Sequence, residues 1–219
     1  IWNGIVMGGG VGISVYGNYR IATMNAKMAM PESAIGFFPD VGTSHILSKM
    51  NNSIGLYLAL TGYVLNYYEL IKLKLANHFV DLRNLNKFED NFIKNGKINK
   101  YLIKKIPKLK SDILDKKKLI KNIFHCTDIE KIIKKLKQDN SQFSKKTLEN
   151  LLVRCPMSLA ITCGIFRIAK KMSFKYCLHM DYHFSQIMIK RNDFTNGVTS
   201  VLIDKNNNQK WRPDSLNKI

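Results

Sequence analysis

The chain has 219 residues, 45% of them hydrophobic, and carries 35 Lys and Arg against 16 Asp and Glu, a formal net charge of +19. That length allows one domain or at most two, and the apolar content suffices for a sizeable globular core. No apolar run reaches bilayer-spanning length, so no membrane partner is expected. The start shows neither a signal peptide nor an Arg-rich transit segment, but the chain opens at Ile1 without an initiator Met, so that absence says nothing of targeting.

Ile5-Val6-Met7 reads as a strand ending in Gly8-Gly9-Gly10, and the apolar segment 11–16 reads as a buried helix. Glycines let a ligand approach the backbone, and the first amides of a helix lack intrahelical acceptors and lie at its partly positive end. Such a turn is able to hold an oxyanion; the alternative is glycine used for close helix–strand packing. Spacing excludes two other motifs. Glycines at 8, 9, 10, 12 and 17 form no G-x-G-x-x-G, no Lys follows as a phosphate loop requires, and the segment 12–16 lacks the closing Gly of a nucleophile elbow.

A second strand is expected at 19–24. The next stretch, Met30-Pro31-Glu32-Ser33-Ala34-Ile35-Gly36-Phe37-Phe38-Pro39-Asp40, holds the only acidic residues of the first sixty, Glu32 and Asp40. Pro31, Gly36 and Pro39 break the backbone and allow the two acids to converge. Ile35, Phe37 and Phe38 supply an apolar wall, which raises a carboxyl pKa by desolvation and separates the roles of the two groups. Residue pattern alone leaves this reading level with a plainer one, a first-turn Glu32 after Pro31 and an Asp40 that caps the following helix.

Helices are expected at 44–50 and Ile54–Thr61, separated by Asn51-Asn52 and stopped by Gly62, then at 67–75, with Ala76-Asn77-His78-Phe79-Val80 after it. Alternation of strand and helix argues for α/β. From Phe88 onward the chain reads as nearly all helix, with segments at 112–122, 128–138, 144–153, 157–171 and 173–191. Pro156 opens or interrupts one of them, the segment 158–169 is apolar on most faces, and residues 193–197 cap the last long helix and lead to 198–204. The division expected is an α/β core over 1–85 and a helical region over 86–219 that packs on it.

Charge is uneven: the segment 94–146 holds 17 lysines against five acidic residues. Runs such as Lys104-Lys105, Lys116-Lys117-Lys118 and Lys134-Lys135-Lys137 could neutralise phosphates by counterion release, which makes RNA a candidate partner. The alternative is a solvated helix face, favoured by the scarcity of arginine there. Cys126, Cys155, Cys163 and Cys177 lack paired spacing and read as buried thiols of a reducing compartment. His179 and His183 share a helical face, but Met180 stands where a zinc-protease helix needs Glu, so they read as partly buried histidines and no metal is expected.

Taken together, Asn3-Gly4, Met7-Gly8-Gly9-Gly10-Val11-Gly12, Arg20, Met30-Pro31-Glu32, Ile35-Gly36, Phe38-Pro39-Asp40-Val41-Gly42 and Leu60-Thr61-Gly62 resemble the crotonase (enoyl-CoA hydratase/isomerase) superfamily. The match is narrower with its 3-hydroxyisobutyryl-CoA hydrolases. It rests on Pro-Glu followed eight residues later by Asp in Phe-Pro-Asp, and on Asp193-Phe194, Gly197-Val198, Leu202-Ile203-Asp204-Lys205, Trp211 and Pro213. Asn196 stands where relatives usually have Glu before Gly-Val, and Thr43-Ser44 replaces a small Gly-rich step.

The resemblance implies a crotonase-like ββα spiral core followed by a mainly helical region, with residues 76–80 as the short strand behind the active-site loop. The family carries an earlier segment that supplies the first oxyanion amide and much of the coenzyme A pocket, so the N-terminal part of the domain is expected outside these residues. It implies hydrolysis of an acyl-CoA thioester, 3-hydroxyisobutyryl-CoA in mitochondrial valine catabolism, with no cofactor beyond the coenzyme A of the substrate. Glu32 becomes nucleophile or base, Asp40 binds the hydroxyacyl group and manages a proton, and Gly9 is the second oxyanion donor, with Gly8, Gly10 and Phe38 as neighbours. Enoyl-CoA hydration is the competing reaction. The other alternative is a structural protein of the mitochondrial small ribosomal subunit, bound to ribosomal RNA and proteins through 94–146.

Overall fold

A computed structural model describes residues 1–98, 106–206 and 208–219. In chain order these form β1 (Ile5–Met7), α1 (Gly9–Ser14), β2 (Ile21–Ala22), β3 (Lys27–Ala29), a 3-10 turn Glu32–Ile35, α2 (Thr43–Ser48), a 3-10 turn Asn51–Ser53, α3 (Ile54–Thr61), β4 (Leu65–Asn66), α4 (Tyr67–Lys72), β5 (His78–Phe79), a 3-10 turn Leu82–Asn84 and α5 (Leu85–Asn95). Helices then follow one another: α6 (Asp112–Asp115), α7 (Lys117–Phe124), α8 (Ile129–Gln138), α9 (Gln142–Leu152), α10 (Pro156–Ala169), α11 (Phe174–Met188) and α12 (Asn192–Val198), which runs into a π-helical turn Thr199–Ile203.

These elements form two compact units, Ile1–Ala29 with Val64–Asp115, and Met30–Tyr63 with Lys116–Ile219. The expected division near residue 85 follows element type along the chain; the compact units interleave across it.

All five strands of the described residues belong to the first unit. β3 pairs in parallel with β1 and antiparallel with β4, while β2 pairs in parallel with β5. Trp2 is buried, donates its amide to Ile21 and accepts from Thr23, which extends the pairing beside β2. Arg20 ties the start of β2 to the turn after α4: Nε donates to the Leu75 carbonyl at 2.6 Å and Nη1 to Gly17 at 2.7 Å. Asn66 and Glu69 form a reciprocal capping box on α4, and Ser111 donates to the second carboxylate oxygen of the buried Glu69 at 2.5 Å. A cluster of Ile21, Val80, Leu85 and Phe88 closes the core of this unit.

In the second unit α3 is buried at every position, and α2, α7, α9 and α10 pack around it. Gly55 allows its closest approach to α2, since a Cβ there would lie 1.8 Å from the Leu47 carbonyl oxygen. Ser141 caps α9, Ser173 caps α11 and Pro156 opens α10. Residues 158–169 are buried on most faces, as their apolar run implies.

Several expectations are corrected. The strand expected at 19–24 contracts to two residues. β3, β4 and α5 were not foreseen: Lys-Met-Ala has no strand period, and α5 buries only Leu85 and Phe88. The helix at 67–75 stops at Lys72 because Lys74 turns to φ 62°. The segment 112–122 divides at Lys116, and residues 193–197, expected as a cap, are themselves helical.

Candidate active site

Glu32 opens the 3-10 turn that follows Pro31. Gly36, at φ 73°, ends the turn by returning its amide to the Glu32 carbonyl, and the Phe37 amide does the same at 3.0 Å. Ser33 anchors the turn twice: its hydroxyl donates to the Leu60 carbonyl at 3.1 Å, and its carbonyl accepts the Cys155 amide at 3.1 Å. The side chain of Glu32 is 6% exposed, and its Oε2 has no hydrogen-bond partner among the described residues. Burial pushes its pKa up to about 8; its own backbone amide opposes that, and the negative charge of Asp40 adds to it.

Asp40 is half-buried, and its pKa is raised by burial against a hydrogen bond from its own backbone amide. Phe38 is fully buried and Phe37 nearly so. Their rings stack at 4.8 Å, with Phe194 5.3 Å from Phe37 and Phe184 6.3 Å from Phe38. The segment places both acids beside buried aromatic residues, and the charge of Asp40 is a minor contributor to the raised pKa of Glu32. The plainer reading of Asp40 fails. The N-cap of α2 is Gly42 with no side-chain cap bond; the Asp40 backbone carbonyl, and not its carboxylate, receives the Thr43 amide at 2.9 Å and hydroxyl at 2.7 Å.

The C-terminal block backs the Glu32 turn. A Cβ on Gly197 would lie 2.4 Å from the Ile35 carbonyl carbon, and one on Gly36 would lie 2.5 Å from the Asp193 carbonyl oxygen, so α12 and the turn meet backbone to backbone. Asp193 is buried and accepts from Arg191 Nη2 at 2.9 Å and from the Arg212 amide at 2.6 Å. One further acid was not foreseen from the sequence: Asp181 on α11 reaches the residues just beyond Asp40, accepting the Gly42 amide at 2.8 Å and the Ser44 hydroxyl at 3.0 Å. Its only sequence signal is an Asp among the apolar residues Met180, Tyr182 and Phe184.

Gly8, Gly9 and Gly10 belong to the first unit. Gly8 has φ 52° and ψ −124°, a conformation that favours glycine, and its carbonyl accepts the Val11 and Gly12 amides at 2.9 and 3.3 Å. The amides of Gly9 and Gly10 precede those first helical bonds. Gly9 is exposed, and a Cβ there would meet nothing within 4 Å, while one on Gly10 would make ordinary contact with Val6. Close helix–strand packing thus does not account for Gly9.

The weaker candidates resolve simply. Cys155, Cys163 and Cys177 are buried, Cys126 is half-buried, and all four are free thiols. His179 and His183 are exposed rather than partly buried, because Cys177, Met180 and Asp181 form the inward face of α11. Among the described residues no group of His, Cys, Asp and Glu could hold a metal ion, and no single helix is long and apolar enough to cross a membrane. Lys116, Lys118, Lys134 and Lys137 are exposed; Lys104-Lys105 lie outside the described residues.

Comparison with known proteins matches residues 1–219 to the family model described as enoyl-CoA hydratase/isomerase. A mitochondrial 3-hydroxyisobutyryl-CoA hydrolase of Xenopus tropicalis is 38% identical over 231 residues, covering 99% of this chain and 59% of the relative. That of Gallus gallus is 39% identical over 228 residues, with the same coverage. The structure of a carnitinyl-CoA dehydratase from Mycobacterium thermoresistibile superposes with a TM-score of 0.90 at 30% identity, over 98% of this chain and 62% of that one. The chain thus spans about three fifths of the length of these relatives.

Proposed function

Because this chain belongs to the enoyl-CoA hydratase/isomerase family and has its crotonase fold, we propose that it is part of an acyl-CoA thioester hydrolase whose substrate is 3-hydroxyisobutyryl-CoA. The observation that carries the reading is Glu32, buried with a raised pKa and an Oε2 that has no hydrogen-bond partner among the described residues, eight residues before the half-buried Asp40. Identity of more than a third to hydrolases of that name supports the choice of reaction.

In this proposal the ionised Glu32 attacks the thioester carbonyl carbon or takes a proton from the water that does. Its Oε2, buried without a hydrogen-bond partner among the described residues, is able to take that proton or form that bond. Negative charge then grows on the carbonyl oxygen, for which likeness to the family makes the Gly9 amide a donor, worth a few kcal/mol when preorganised. Asp40 binds the 3-hydroxyl of the acyl group and passes a proton to the departing thiolate. Where Glu32 attacks directly, departure of the thiolate leaves a mixed anhydride on Glu32, which water then hydrolyses to regenerate the Glu32 carboxylate; by either route water is added across the C–S bond, giving a carboxylate, a proton and free coenzyme A. No cofactor is required beyond the coenzyme A of the substrate.

By the same likeness the compartment is mitochondrial and the pathway is valine catabolism. The ribosomal reading draws no support from these relatives, and enoyl-CoA hydration remains the competing chemistry of the family. The test is release of free thiol from 3-hydroxyisobutyryl-CoA by the protein and by Glu32→Gln. Release in the wild type and a loss of about 1000-fold or more in the variant is the expected result. Hydration of crotonyl-CoA without thiol release would move the assignment to a hydratase.

A further inference from the structure

Asp181 is a buried acid that the proposed chemistry leaves unused, as it does Glu69 and Asp193, and it is the one bonded beside Asp40. It lies on α11, 3% exposed, and it bonds the N-cap and first turn of α2: Oδ2 accepts the Gly42 amide at 2.8 Å, and both oxygens accept the Ser44 hydroxyl, at 3.0 and 3.3 Å. Between Asp40 and these partners stands Val41 at φ 51°, followed by Gly42 at φ 78°. A β-branched residue in the left-handed region is strained and persists only where its surroundings over-determine it. The loop is so held: the Asp40 carbonyl receives the Thr43 amide and hydroxyl from one side, and Asp181 grips Gly42 and Ser44 from the other.

Burying a carboxyl is an expensive way to pack one helix on another, because an apolar side chain fills the same space without desolvation. No ion pair among the described residues engages Asp181. The groups that face it are the Gly42 amide and Ser44 hydroxyl, the like charge of Asp40 and, one turn earlier on its own helix, the Cys177 thiol. Its bonds therefore tie α11 to the first turn of α2 and to the loop residue Gly42 that follows Asp40 and Val41.

We propose that Asp181 is a positioning residue for Asp40: through the Gly42 amide and the Ser44 hydroxyl it holds the strained turn 40–42 and thereby the direction in which the Asp40 carboxyl faces the acyl group. The proposal rests on the reading of Asp40 as the carboxyl that binds the hydroxyacyl group and handles the proton.

The experiment is a double-mutant cycle in thiol release, joined to amide exchange measured by NMR. Asp181→Ala lowers kcat about 10- to 100-fold, the scale of a misplaced reacting group, and Asp181→Asn, which keeps an acceptor for the Gly42 amide, recovers most of it. In an Asp40→Asn background Asp181→Ala costs nothing further, because its effect runs through Asp40. The Gly42 amide exchanges at least about 10-fold faster in Asp181→Ala, while that of Leu60, deep in α3, is unchanged. If Asp181→Ala fails to fold, Ser44→Ala removes one arm of the grip and gives a smaller loss with the same dependence on Asp40. Wild-type kcat in Asp181→Ala, or an equal loss in the Asp40→Asn background, overturns the proposal while leaving the hydrolase reading intact. If the wild type releases no thiol, the hydrolase reading fails instead. The exchange of Gly42 and the 13C resonance of the Asp40 carboxyl then decide the positioning role, which falls if neither changes in Asp181→Ala.

Discussion

Glu32 carries its proton across the range in which an unfolded glutamate has lost it, and this couples the site to stability. With the folded pKa raised from 4.5 to about 8, the folded state holds one proton more than the unfolded state between those values. Stability therefore falls as pH rises through that window, and levels off above about 8. Glu32→Gln cannot ionise, so it matches the wild type near pH 4 and is more stable by on the order of a few kcal/mol above pH 8. A shallower fall persists in the variant, because Asp40 is also raised and Asp181 is pushed up to about 6. Urea unfolding of both proteins at pH 4, 6 and 8.5 measures the difference, and parallel stability curves would refute it. The same ionisation governs activity in the opposite sense: if the carboxylate is the reacting form, kcat/KM climbs with pH and reaches a plateau near 8.

The elements around that group show which contacts are local and which are not. The candidacy of Glu32 and Asp40 was legible because two acids, two prolines and two phenylalanines fall within eleven residues, although the pattern alone left it level with a plainer reading. The partners that hold them were not: Asp181 is 139 residues from Gly42, and an isolated Asp in a helix usually reads as part of a polar face. Gly197 was legible only as part of a recurring block, since nothing in the sequence says that it touches Ile35. β3 was missed because its pairing on both edges, and not its residues, makes it a strand. The contact at Gly197 gives a sharp prediction. Gly197→Ala forces a methyl into the backbone of the Glu32 turn, 2.4 Å from the Ile35 carbonyl carbon, which cannot yield as a flexible side chain does. It should destabilise the protein by about 1–3 kcal/mol and reduce thiol release beyond that loss of folded protein. Gly164→Ala in α10, where nothing lies within 4 Å, should instead gain up to about 1 kcal/mol from helix propensity. Thermal melts that rank the two variants the other way would show that the turn gives way freely.

At the scale of the whole molecule the net charge of +19 poses a different question, because it is concentrated in a segment that the proposed chemistry does not use. The helices of that segment explain its pattern. α7 buries Ile120, Ile123 and Phe124, and α8 buries Ile129, Ile132 and Leu136, so lysines occupy the positions left to solvent. Lys135 turns back to the Asn122 carbonyl at 2.8 Å and supports the helix pair itself. A lysine face of this kind attracts polyanions without reading them, since a flexible ammonium offers charge but no planar fork. Binding to RNA is therefore expected to be electrostatic and insensitive to sequence. If several phosphates are contacted, affinity should drop by about 1000-fold or more between 50 and 200 mM salt. Fluorescence anisotropy with two unrelated RNA oligomers of equal length, titrated across that range, reads both properties at once, with equal affinities and a steep linear log–log slope expected. Ribosomal particles sedimented in high salt should leave the protein in the supernatant for the same reason. A shallow salt slope, a preference for one oligomer, or salt-resistant cosedimentation would mean that the lysine face has a shaped partner and that its charge is more than the exposed side of amphipathic helices.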